Sequence, residues 1–237
     1  MRFRVLLSVV LVGLLSIWPS AAPAGAQTQE KPTVKIPEPG VPQIMTMEGR
    51  FVRAAYNNEG YVILGYQLAN ASVGDEWMLL EVGITLVSNK VPDYSLKREA
   101  VSLMLPDGST LPLPSLMEYR EAPLGGLKNQ AKVIRDSINY FPPLANDPCR
   151  IGFFSDLKDR AMPWEQVEIS YRRACMGQLF FKIPGGIQYG QHWLDVKFEK
   201  SLVRVPFRIL TKEEEKMLNK NWKDISKQVK EAFQNPK

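Results

Sequence analysis

Three stretches of period-2 alternation constrain this chain more than any other feature. Val203, Val205, Phe207 and Ile209 alternate with Arg204, Pro206 and Arg208, while Val167, Ile169 and Tyr171 alternate with Gln166, Glu168, Ser170 and Arg172. Leu179, Phe181 and Ile183 do the same against Gln178 and Lys182, although Phe180 breaks that wet row. Successive side chains of a strand point to opposite faces, so each row describes a strand with one apolar and one wet face. Pro206 has no N–H to give to a ladder, which places its strand at a sheet edge or a bulge.

Turn signals between apolar runs extend the pattern. Asn57-Asn58-Glu59-Gly60 separates two runs rich in aromatic and β-branched residues, and Pro106-Asp107-Gly108 supplies a preset φ followed by a residue that accepts positive φ. Each predicts a chain reversal between strands. A long apolar run covers 76–87. From Pro123 to Tyr140 the alternation weakens; Leu127, Ala131, Ile134 and Ile138 share a helical face, so a helix is expected, with a long loop as the alternative. Many short strands without recurring strand–helix alternation predict a mostly β fold of antiparallel sheets, packed as a sandwich over residues 45–210, with a small β-barrel as the alternative.

The segment Pro184–Trp193, "PGGIQYGQHW", carries the single histidine of the chain and glycines spaced as in a phosphate-binding loop. Gln191-His192 stands where such a loop needs Lys followed by Ser or Thr, so the charge that holds phosphates is missing. His192, Leu194, Val196 and Phe198 share one parity, opposite Trp193, Asp195, Lys197 and Glu199, so a half-buried strand follows instead of a helix. The glycines are therefore expected to join strand 178–184 to strand 191–199 as a hairpin loop. His192 is expected to pack beneath that loop, bonded to backbone. With one histidine, no G-x-S-x-G elbow, no H-E-x-x-H and no C-x-x-C, the sequence offers neither a serine triad nor a zinc site. No catalytic, cofactor-binding or metal-ligating residue is assigned from sequence.

The N-terminus speaks to compartment. Arg2 and Arg4 precede an apolar run from Val5 to Trp18, and Ala24-Gly25-Ala26 has the small-x-small form of a cleavage site, so residues 1–26 read as a secretory signal peptide. The run is shorter than the roughly 20 residues a spanning helix needs, and no transmembrane segment is expected after cleavage. A secreted or periplasmic location follows. Loss of Arg2 and Arg4 lowers the formal charge of +5 by two, and the remaining basic residues are interspersed with acidic ones, which argues against nucleic-acid binding. An oxidising compartment lets Cys149 and Cys175 form a disulfide; two buried free thiols are the alternative. Residues 27–44, with Pro32, Pro37, Pro39 and Pro42, read as a proline-rich spacer or a strap.

Residues 211–237 read as an amphipathic helix. Thr211 and Glu214 have the spacing of a capping box, and Leu218, Trp222, Ile225, Val229 and Phe233 form one narrow apolar stripe. The stripe is expected to dock on the chain's own strands; a homodimer or partner-binding helix, and a membrane surface, are its other readings. Among the acids, Asp156 and Asp159 sit beside Lys158 and Arg160 as in a solvated loop, and Glu165 and Glu168 differ in strand parity. Asn70-Ala71-Ser72 matches the N-glycosylation pattern, which matters in a eukaryotic secretory pathway.

An exported chain with a proline-rich leader followed by short strands resembles the immunoglobulin-like sandwich modules of secreted and periplasmic bacterial proteins. The antibody-type hallmark departs from that pattern: Trp164 lies between the two cysteines, but these stand too close together in the chain. Such modules host adhesion, chaperoning, carbohydrate binding and scaffolding alike, so the resemblance implies an architecture and no one activity. The absence of catalytic motifs, and not the resemblance, makes the first of two functions the expected one and the second its alternative. One is a noncatalytic binding or scaffolding module of the cell envelope or extracellular space, with a protein or envelope component as partner. The other is a carboxylate-dependent hydrolase acting on glycans or cell-wall material, which requires two converging acids in a cleft and one raised pKa.

Overall fold

The computed structural model describes residues 43–154 and 162–234. The leader, all but the end of the proline-rich stretch, the Asp156–Asp159 pair and the side chains of Val229 and Phe233 lie outside the described residues. The described chain is mostly β. Strands β1 (Ile44–Gly49), β2 (Val52–Tyr56), β3 (Gly60–Gly65) and β4 (Trp77–Leu86) form an antiparallel meander. The β2–β3 reversal is the expected one: Asn57 Oδ1 accepts from the backbone N–H groups of Glu59 and Gly60, closing the turn.

A short helix α1 (Gln67–Ala71) links β3 to β4, and β5 (Tyr94–Lys97), β6 (Val101–Met104) and β7 (Thr110–Pro112) follow. The β6–β7 reversal uses Gly108 at φ 87°, as the Pro106-Asp107-Gly108 sequence requires. Helices α2 (Leu116–Glu121) and α3 (Gly125–Gln130) precede β8 (Asp147–Ile151), β9 (Gln166–Ile169), β10 (Arg173–Lys182), β11 (Gly190–Lys197), β12 (Leu202–Ile209) and α4 (Lys212–Gln234). The first sheet has the order β1-β2-β3-β4-β10-β8, the second β12-β11-β6-β7, and β5 pairs with β9 alone. All pairings are antiparallel except β8 on β10. The sheets do not close, which removes the barrel alternative.

One buried core draws on both sheets, with Val62, Leu64, Ile84 and Phe181 from the first and Leu103, Leu194, Val205 and Phe207 from the second. Burying each such side chain is worth roughly 1.5–3 kcal/mol, so this shared core is the main stabilising element. At one end the two sheets are tied by a buried carboxylate. Glu59, in the β2–β3 turn, accepts from the Lys200 N–H and from Ser201 Oγ at 2.6 Å in the β11–β12 turn. Phe198 packs so closely over Gly60 there that a Cβ would lie 2.1 Å from its ring. At the other edge, Pro206 sits in β12 as an edge strand should, and Gln43 bonds the Arg204 N–H and C=O with its side-chain amide.

Two sequence expectations are corrected. The loop 184–189 is no hairpin: β10 belongs to the first sheet and β11 to the second, so the glycines carry the chain across the core. Gly185 and Gly186 adopt φ 78° and 85°, and Gly186 comes so near the Gly74 carbonyl that a Cβ would be 2.5 Å from its oxygen. Exchanged bonds between Gly74, Asp75 and Ile187 hold the crossing against the start of β4. The expected helix over 123–140 shortens to α3. Beyond Ala131 the chain passes through a turn and continues as a strap across the outer face of the first sheet, where the Glu81 side chain accepts the Asp136 N–H.

Cover on that outer face explains two anomalies of pattern, the strap lying over β2–β4 and Tyr119 of α2 with Phe154 over Phe180. All ten residues of β4 are buried, and Phe180 is 3% exposed where alternation places a wet residue, because both faces of the sheet are covered. Ile138 and Phe141 of the strap pack on Val52, Ala54 and Ile63. Gly83 makes room for the Phe141 ring and Gly65 for the Asp136 side chain; a Cβ would lie 2.7 and 2.6 Å from them.

Helix α4 begins with the expected box: Thr211 Oγ1 accepts from the Glu214 N–H, and Glu214 Oε2 from the Thr211 N–H. Its first turns are tied to the strands by the Arg208–Glu214 ion pair and by Arg50 donating to Asn219 Oδ1. Leu218, Trp222 and Ile225 are half-buried along the helix. Asn70 is 8% exposed, and its Oδ1 accepts from the Leu210 N–H at 2.6 Å, so the sequon asparagine is spent on the strand–helix junction.

Candidate functional site

A concavity of about 600 Å³ lies where the outer face of β4, β10 and β8 meets α2, α3 and the strap. One wall begins with α2, whose N-terminus is fixed by a Ser115–Glu118 capping box. The box aims Tyr119 inward, where its ring meets Phe154 at 4.7 Å and Phe180 at 5.1 Å between centroids. These rings are buried, so they build the wall. Lys128 of α3 lays its ammonium over the Tyr119 ring, 4.7 Å from the centroid. Lys132 and Arg135 on the strap and Arg150 on β8 complete a basic lining, and all three are exposed.

Two carboxylates share this cleft. Glu81 of β4 is 7% exposed, accepts the Asp136 N–H at 2.9 Å and pairs with Arg135 at 3.5 Å. Asp136 Oδ2 accepts the Gln67 N–H at 2.7 Å. Burial, with a further push from Glu81, holds the Asp136 carboxyl up at about 6, while the Gln67 bond and Arg53 pull the other way. Together these bonds form a latch. Glu81 takes hold of the strap's backbone, the strap's Asp136 takes hold of the β3–α1 junction, and helix α3 cannot continue through that point.

Sequence reasoning singled out neither acid. The available signal was indirect: isolated glycines within the strand patterns at Gly65 and Gly83 mark places where other groups approach the sheet. Glu165 and Glu168 remain exposed and apart from the cleft. Among the described residues, no cluster of three or more His, Cys, Asp or Glu side chains is arranged to hold a metal ion.

Cys149 and Cys175 face each other as register partners on β8 and β10 and are joined as a disulfide. Cys175 is fully buried and Cys149 half-buried, so the bridge fastens β8, which carries Arg150 of the cleft, to the sheet.

His192 lies outside the cleft. It is fully buried, stacks on Phe207 at 5.3 Å, and its Nδ1 donates to the Gly190 carbonyl at 3.1 Å. Nε2 is buried without a hydrogen-bond partner among the described residues. Burial pushes the pKa of this imidazole below its usual 6.5, only partly offset by the Gly190 bond. The folded state therefore prefers the neutral ring. Stability from this group is intact above the unfolded value of about 6.5 and falls as pH drops toward the lower folded value. His192→Gln is expected to keep the fold and to flatten that acid limb in melting temperature measured from pH 8 to pH 5. An unfolded variant, or an unchanged acid limb, contradicts this role.

No helix among the described residues is long and apolar enough to cross a membrane. Comparison with known protein families, curated proteins and solved structures finds no match for the chain.

Proposed function

We propose that this protein is an exported, noncatalytic binding module of the cell envelope or extracellular space that holds its partner in the cleft beneath the strap. One observation carries the reading: oxygen atoms of both cleft acids are spent on the protein itself, Glu81 on the Asp136 N–H and Arg135, Asp136 on the Gln67 N–H. Acids used in this way shape a pocket rather than attack a substrate. The two sheets serve in this proposal as an immunoglobulin-like frame, with connecting segments carrying the ligand. Export rests on the order of basic, apolar and small residues in 1–26.

A second reading has its own support. Asp136, held up at about 6 beside Glu81, is the kind of carboxylic acid that a glycan or cell-wall hydrolase uses as a general acid. Turnover separates the two. Purified protein is expected to release no reducing sugar from peptidoglycan or from acidic and neutral polysaccharides above background between pH 4 and 8. Release that disappears in folded Glu81→Gln and Asp136→Asn variants overturns the noncatalytic reading.

The half-buried stripe Leu218, Trp222 and Ile225 is read as a docking face for the chain's own strands, since the helix is tied to them through Glu214 and Asn219. Ending the chain at Leu210 is expected to lower the melting temperature by several degrees. A truncated monomer of unchanged stability, beside a full-length dimer in sedimentation, assigns the stripe to a second copy instead.

A further inference from the structure

We infer that the cleft between the strap and β4, β10 and β8 binds a ligand carrying two or more phosphate or carboxylate groups; this deepens the proposed binding function and rests on it. Four cationic side chains, Lys128, Lys132, Arg135 and Arg150, line this one concavity against the two carboxylates of Glu81 and Asp136. The acids do not cancel the cations evenly. Glu81 is 7% exposed and faces Arg135 and the Asp136 N–H, and Asp136 Oδ2 faces the Gln67 N–H, so both are turned toward the protein. Lys132, Arg135 and Arg150 are exposed, Arg135 while paired with Glu81.

The remaining lining sets the ligand's character. Tyr119, Phe154 and Phe180 are 5%, 6% and 3% exposed and packed on one another, so no open ring face is offered for stacking a base or a sugar. Recognition must come from charge and hydrogen bonding, through Arg guanidinium forks and Lys ammonium groups placed around the opening. The cations come from three different elements, α3, the strap and β8, and these are assembled by the latch and by the Cys149–Cys175 bridge. A single monovalent anion leaves most of this lining unused. A ligand with several negative groups engages it together.

Calorimetric titration of the disulfide-bonded protein with oligogalacturonate and with short-chain polyphosphate tests the assignment, with maltooligosaccharide as the uncharged probe. One or both polyanions are expected to bind. Which of them binds more tightly assigns the charged group as carboxylate or phosphate. Affinity is expected to fall at least tenfold between 50 and 300 mM salt, because salt screens the attraction between the exposed cations and the ligand's charges. A Lys132→Gln, Arg150→Gln variant changes only exposed side chains and is expected to lose at least tenfold in affinity with its melting temperature kept. Absence of binding by both polyanions, binding unaffected by the double variant, or equal binding of maltooligosaccharide overturns the inference. The noncatalytic reading fails separately, on turnover.

Discussion

Replacing Cys149 and Cys175 together by serine is expected to destabilise the oxidised protein by about 3 kcal/mol. The bridge spans a sequence separation of 26, and cross-linking a loop of that length removes roughly that much chain entropy from the unfolded state. The folded state adds a local reason. β8 is an edge strand joined to the first sheet by a parallel ladder, which is slightly less stable per residue than an antiparallel one. The covalent bond supplies what the ladder lacks. Urea denaturation should show the same loss when wild type is reduced, and reductant should leave the double-serine variant unchanged. A variant as stable as the oxidised wild type would mean that β8 holds its place without the bridge.

Gly60→Ala is expected to cost about 3 kcal/mol, at the upper end of what overpacking does in a filled core. The added Cβ would fall 2.1 Å from Phe198 Cζ and 2.2 Å from Cε2, inside any tolerable contact. Phe198 is 1% exposed and has no open direction in which to retreat. The turn cannot back away either, since Glu59 is bonded to Lys200 and Ser201 and Asn57 donates to Ser201 Oγ. A Phe198→Leu change in the same chain should recover part of the loss, giving a coupling that a double-mutant cycle reads directly. Independent, additive effects of the two substitutions would deny the close packing of the turns.

The strands that alternate cleanly in sequence are also the ones with a single partner face. β12 shows this best: Val203, Val205, Phe207 and Ile209 are buried, and Arg204, Pro206 and Arg208 are not. The helix start at Thr211 was legible for a similar reason, since its box is built from residues three apart. Legibility ended where distant segments meet. β4 is buried on both faces and shows no period, and the 123–140 segment carries a helical face that the Glu81–Asp136 latch overrides. The cleft was illegible for the same reason, because Glu81 and Asp136 lie 55 positions apart and the cations around them belong to different elements. Parity also misread loop 184–189, since two strands of correct alternation can lie in different sheets as readily as in one.

The noncatalytic cleft account is tested most directly by site-specific photo-cross-linking in intact cells that make the protein. A photoreactive residue is placed at Gln178, which lines the cleft on β10, and in a separate chain at Lys97, exposed on β5. The account predicts a discrete adduct from position 178 that soluble polyanion competes away, with none from position 97. Adducts from position 97 alone, or equally from both, would contradict the cleft as the place where this protein meets its partner.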